Sequence, residues 1–187
     1  MCDYLFVILN KTVHICIIFI HHFKRKHKED FMPEKVLIIN GPNLGHLGKR
    51  ETHIYGGQGM EYVFEELRKK GLEALYFQSN HEGRLIDRLE EARTEFLNRE
   101  IPGIVLNAGA FTHTSLALAD CLSWIKVPYV EVHISNILTR SGNAKSEADG
   151  LRGKSLIASS SIGLIAGFGL DSYLLAVDAL IRYNAKN

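Results

Sequence analysis

From position 35 onward, short apolar runs rich in β-branched residues alternate with amphipathic stretches. The runs lie at residues 36–39, 72–77, 103–106, 129–134 and 164–166, and each has the length of a strand. Between them, residues 60–70 place Val63, Phe64 and Leu67 on one face. Residues 82–97 do the same with Leu85, Leu89, Ala92 and Phe96, the three-to-four-residue period of a helix. Residues 114–125 and 171–183 predict two further helices, and Ser79 to Glu82 reads as a capping box before the helix at 82. Ser79 and Thr114 are expected to act as helix caps. Strands alternating with helices imply βαβ units and a parallel sheet covered on both faces. Five such strands predict an α/β, flavodoxin-like, doubly wound domain over 33–187. Residues 136–154 are polar and aperiodic, and a loop this long is usually a functional lid or disordered.

The first 32 residues stand apart. An apolar stretch broken by Asn10, Lys11, Thr12 and His14 precedes a basic tract at 21–28. A secretory signal has the opposite order, and a membrane span needs roughly 20 mostly apolar residues. The expectation is an extension that is disordered or not translated, with Met32 as the start, rather than an anchor. The histidines of this tail are not read as a metal site. The 187 residues carry a formal net charge of +1, and the pI is about 7.8, so no basic face for nucleic acid is indicated. Three cysteines without close spacing predict neither a disulfide framework nor a zinc site, and a reducing cytoplasm is the default.

In a parallel sheet, functional loops gather at the carboxyl ends of the strands. The first strand opens into NGPNLGHLGKRETHIYG (40–56), which holds Asn43 and ends with Arg50 and Tyr55. The third strand ends in Asn107 and His113, and the fourth in Glu131, His133, Ile134 and Ser135. Glu131 and His133 are two apart in an extended run, so both project from one face. Burying them is costly unless they are paired, and a carboxylate beside an imidazole favours its protonated form, as a general acid requires. A purely structural pair is the other reading. His113 between two threonines suits structure and function equally. Arg50 beside Tyr55 is chemically suggestive, because a tyrosine next to a cation can lose its proton more easily. Nucleotide motifs fail: Gly48-Lys49-Arg50 lacks the first P-loop glycine, and Gly167-Phe168-Gly169 lacks the third glycine of a dinucleotide fingerprint. No metal-ligand spacing and no nucleophile elbow occur in the sequence.

Taken together and in order, INGPNL (39–44), RE (50–51) with YG (55–56), QSNHEG (78–83), LNAGAFTHTS (106–115), VEVHISN (130–136) and AGFG (166–169) resemble type II 3-dehydroquinate dehydratases. The resemblance implies a cofactor-free and metal-free dehydratase acting on 3-dehydroquinate by anti elimination through an enolate. It implies Tyr55 as the base, Arg50 as its activator, His133 as the acid and Glu131 as its orienting partner. Asn43 would stabilise the enolate. Asn107, His113, Ile134, Ser135 and Arg140 would hold the substrate. Asp120 would reach a neighbouring subunit's site in a trimer-based dodecamer. The role in shikimate synthesis or quinate breakdown is left open, as is a catalytically altered relative that binds or converts another cyclic hydroxy-acid.

One segment departs from the family pattern. After Arg140 the family has a short arginine-bearing stretch, whereas this chain has Ser141-Gly142-Asn143-Ala144 and a longer run before Ser155. The second substrate-binding arginine is absent in simple register, and Arg152 is expected to replace it. Thr52 and Ala119 are milder departures, standing where the family often has proline and arginine.

Overall fold

The two parities of the central strands are buried in opposite layers, and the fold follows from what each packs against. The computed structural model describes residues 35–47, 59–142, 146 and 150–186. They all lie within one compact unit, 31–187. Five parallel strands form one sheet: β1 (Lys35–Asn40), β2 (Glu73–Gln78), β3 (Ile104–Asn107), β4 (Tyr129–His133) and β5 (Gly163–Ala166). Their spatial order is β2-β1-β3-β4-β5, the doubly wound order in which the connection reverses between β1 and β3. Each predicted strand is found, with ends moved by one residue or so.

The helices are α1 (Met60–Lys69), α2 (Glu82–Leu97), a short α3 (Phe111–Thr114), α4 (Leu116–Ile125), a short α5 (Thr139–Gly142) and α6 (Asp171–Lys186). Leu37, Ile39, Ile104, Leu106 and Tyr129 face α2 and α4, packing on Leu85, Leu89, Leu118 and Leu122. Val36, Ile38, Val105, Val130 and Val132 face the other way, onto Val63 and Leu67 of α1 and Tyr173, Val177 and Leu180 of α6. The central strands are therefore apolar on both faces, as a sheet with helices on both sides demands. Each such side chain contributes roughly 1.5–3 kcal/mol by leaving water. No helix among the described residues is long and apolar enough to cross a membrane.

Two expected caps are corrected. Ser79 still donates its N–H to the Asn40 carbonyl at 3.1 Å, prolonging the ladder, so helix α2 cannot begin around it. His81 takes the cap position without a side-chain bond, and the Ser79 hydroxyl instead accepts from the His81 N–H at 2.9 Å. The helix predicted from 114 is interrupted: Ser115 is extended, and its hydroxyl caps α4 by accepting from the Leu118 N–H at 2.8 Å. Thr114 bonds back to the Ala110 carbonyl, a competing local bond open to threonine. The 1–32 extension lies outside the described residues.

Candidate active site

The exits of β1 and β3 meet because position 41 has no side chain. The Gly41 N–H donates to the Asn107 carbonyl at 2.7 Å, and a Cβ there would stand 2.2 Å from the Ala108 oxygen. Asn43 then adopts φ 67°, a left-handed conformation that asparagine tolerates better than most residues, and starts a 3₁₀ turn at Leu44–His46. Its N–H donates to the Asn80 side chain at 2.9 Å, fastening the β1 exit to the β2 exit. Beside the reversal point a cleft of about 530 Å³ opens. Asn43, Asn107, His113, His133, Ile134, Ser135, Arg140 and Arg152 all line it, with His46 and the apolar Leu44, Leu47 and Ile137. A concave site with a few convergent polar groups suits a small polar ligand.

Glu131 and His133 sit on the same face of β4, as alternation requires. Glu131 is 0% exposed and His133 5%. The His133 Nε2 lies 2.6 Å from Glu131 Oε1, so a carboxylate there accepts from Nε2–H and leaves Nδ1 as the other ring nitrogen. Ser155 donates to the second carboxylate oxygen at 2.9 Å. The Ser155 oxygen in turn accepts from the N–H groups of Ile157 and Ala158, at 3.2 and 3.0 Å. Both carboxylate oxygens are thus satisfied, which is what allows the group to be buried. Ser155 was invisible as a partner in the sequence, because the contact spans 24 residues and no local pattern announces it.

The His113 ring lies nearly parallel to that of His133, with centroids 6.4 Å apart and planes 14° apart. Its Nδ1 is 2.5 Å from the Lys154 carbonyl, which can only accept, so Nδ1 carries the hydrogen and Nε2 is the acceptor. Burial pushes the His113 pKa below the usual histidine range. The Lys154 carbonyl opposes that shift, while His133 and Arg140 add to it. Because the unfolded chain binds this proton more tightly, the group supports folding fully above pH ~6.5, and the support is lost as pH falls towards the depressed folded value. The melting temperature is therefore expected to drop more steeply between pH 7 and pH 5 in wild type than in His113→Asn. Equal slopes would show that His113 does not titrate against the fold.

The remaining expected residues divide. Arg140 donates to the Ser135 hydroxyl at 2.8 Å, so the two form one polar wall. Arg152 is exposed yet lines the same cleft, from near the end of the aperiodic segment. Asp120 is exposed on α4 and is not among the residues lining the cleft of its own chain. Arg50 and Tyr55 lie outside the described residues.

Residues 34–181 match the family Dehydroquinase class II. The chain belongs to the class II dehydroquinase family. A 3-dehydroquinate dehydratase of Prochlorococcus marinus is 42% identical over 152 residues, covering 79% of this chain and 95% of that protein. One from Caldicellulosiruptor saccharolyticus is 44% identical over 151 residues, covering 79% and 96%. The crystal structure of type II dehydroquinase from Butyrivibrio crossotus superposes with a TM-score of 0.66 at 40% identity, covering 79% of this chain and 97% of that one. In this dehydroquinase the five-stranded, doubly wound sheet and the Glu131–His133 pair were legible in advance. Ser155, His46 and the contribution of α6 described below were not.

Proposed function

We propose that the chain is a hydro-lyase that converts 3-dehydroquinate to 3-dehydroshikimate, in the shikimate or quinate pathway. The observation that carries the reading is the buried Glu131–His133 pair, with both carboxylate oxygens hydrogen-bonded, at the wall of a polar cleft, in a chain of this family. Tyr55, activated by Arg50, takes a proton from the carbon beside the ketone. The resulting enolate is stabilised from the Asn43 side. The carbon–oxygen bond then breaks, the departing hydroxyl takes a proton from His133, and water and a conjugated enone leave. Glu131 holds Nε2–H and so orients the ring, and the acid is the imidazolium, which delivers its Nδ1 proton. A neutral His113 offers Nε2 to a substrate hydroxyl. Asn107, Ile134, Ser135 and Arg140 complete the grip on hydroxyls and carboxylate. The test is the rise of enone absorbance when purified protein meets 3-dehydroquinate, and a flat trace would sink the proposal.

Arg152 takes the place of the missing arginine in this reading, since it reaches the cleft from near the end of the departing segment. Arg152→Ala is expected to raise KM by roughly ten- to a hundredfold, the loss of one charge-assisted bond, with a smaller change in kcat. Wild-type values of both constants would assign the carboxylate to another group. Asp120, exposed and not among the residues lining its own cleft, fits a role at a neighbour's site in a trimer-based dodecamer in the cytoplasm.

A further inference from the structure

Asn40 and Asn107 are partners in the β1–β3 register, side by side at the carboxyl ends of the two central strands. They are 0% and 3% exposed. The hydroxyl of Tyr173, from α6 and itself 0% exposed, sits between them. Asn107 Nδ2 donates to it at 2.9 Å, and it donates to Asn40 Oδ1 at 2.9 Å. Asn40 Nδ2 passes the chain on to the Tyr76 hydroxyl at 3.3 Å. At the other end, the Gly109 N–H donates to Asn107 Oδ1 at 3.2 Å, from a backbone with φ 59° that favours glycine. The bonds run in one direction, and flipping Asn107 would set its NH₂ against the Gly109 N–H and its oxygen against a Tyr173 hydroxyl whose hydrogen already goes to Asn40. Burial also pushes the Tyr173 hydroxyl well above the ordinary tyrosine range, so it remains protonated and serves both neighbours.

Asn107 lines the cleft. One of its amide hydrogens is committed to Tyr173, and its oxygen already accepts from Gly109. The second Nδ2 hydrogen is the donor it has left to offer. We infer that Tyr173 is a positioning residue for substrate recognition: its hydroxyl locks the Asn107 amide so that a donor faces the cleft and selects an oxygen acceptor on the ligand. Without that hydroxyl only the 3.2 Å bond from Gly109 sets the amide, and its flipped form turns a carbonyl towards the ligand's oxygens. The inference rests on the cleft being the 3-dehydroquinate site.

The experiment compares Tyr173→Phe with Tyr76→Phe. Each removes one hydroxyl bonded to Asn40, but only Tyr173 also touches Asn107. Tyr173→Phe is expected to raise KM for 3-dehydroquinate roughly tenfold, the worth of one hydrogen bond, while kcat stays within about threefold. Tyr76→Phe is expected to leave KM at the wild-type value. An unchanged KM in folded Tyr173→Phe, or an equal rise in both variants, overturns the inference. If Tyr173→Phe does not fold, Asn107→Asp decides, because a carboxylate cannot donate. A KM within about threefold of wild type would show that no donor is presented, whereas a rise beyond about a hundredfold supports the inference. Wild-type turnover in the same assay separates failure of this inference from failure of the assigned reaction.

Discussion

Replacing His133 with alanine is expected to lower kcat by roughly 10²–10⁴-fold, the range that a positioned general acid contributes. The departing group is a hydroxyl, which leaves as hydroxide unless a proton arrives with it. The proposed mechanism gives that delivery to His133, whose ring borders the cleft and whose Nε2 is held 2.6 Å from a carboxylate that is completely buried. KM is expected to change far less, because Asn107, Ser135 and Arg140 still line the cleft. Glu131→Gln should fall in the same direction by a different route. The amide can satisfy the imidazole or the Ser155 hydroxyl, but its NH₂ cannot accept the proton that Ser155 now donates to the carboxylate. Steady-state kinetics by enone absorbance checks both variants. A kcat within tenfold of wild type for His133→Ala would remove His133 from the role of acid.

Tyr55→Phe is expected to abolish turnover at every pH, while Arg50→Ala should leave an enzyme that recovers as the solution becomes alkaline. Free tyrosine titrates near pH 10, so a phenolate poised near neutrality needs a shift of roughly three units, about 4 kcal/mol. One cation at ~4 Å with an effective dielectric of ~20 supplies about that much before desolvation is subtracted. Losing the cation should therefore cost on the order of a thousandfold at pH 7. The deficit should shrink towards pH 10, where tyrosine ionises unaided. The measurement is kcat/KM from pH 6 to pH 10 for both variants. An Arg50→Ala profile parallel to wild type would exclude the arginine as activator, and measurable turnover by Tyr55→Phe would exclude the tyrosine as base.

The sequence disclosed most where a period enforced the answer. Two-residue alternation placed Glu131 and His133 on one face, and the structure brings them into contact. Apolar periodicity located every strand and the faces of α1 and α2. It failed where short polar side chains choose among equivalent local bonds. Ser79 closes on His81 rather than capping a helix, and the cap of α4 falls to Ser115 rather than Thr114. It was silent on contacts joined only by the fold. Tyr173 sits in α6 as one more core-facing aromatic, and only the sheet order reveals that its hydroxyl lies between Asn40 and Asn107. Ser155 likewise follows an aperiodic segment, so nothing nearby pointed to Glu131. Arg152 was inferred by displacement from a family pattern, and the cleft does include it.

The strand parities carry a consequence for how this enzyme can change. Glu131 and His133 share the β4 face of Tyr129, which belongs to the layer of α2 and α4. Asn40 and Asn107 turn the other way and are pinned by Tyr173 from the α6 layer. On the proposed roles, the proton-donating pair and the Asn107 contact to the ligand therefore rest on opposite faces of the sheet. On that assignment, drift in the packing of α6 would retune the Asn107 contact while the Glu131–His133 pair, held from the opposite face, keeps its alignment.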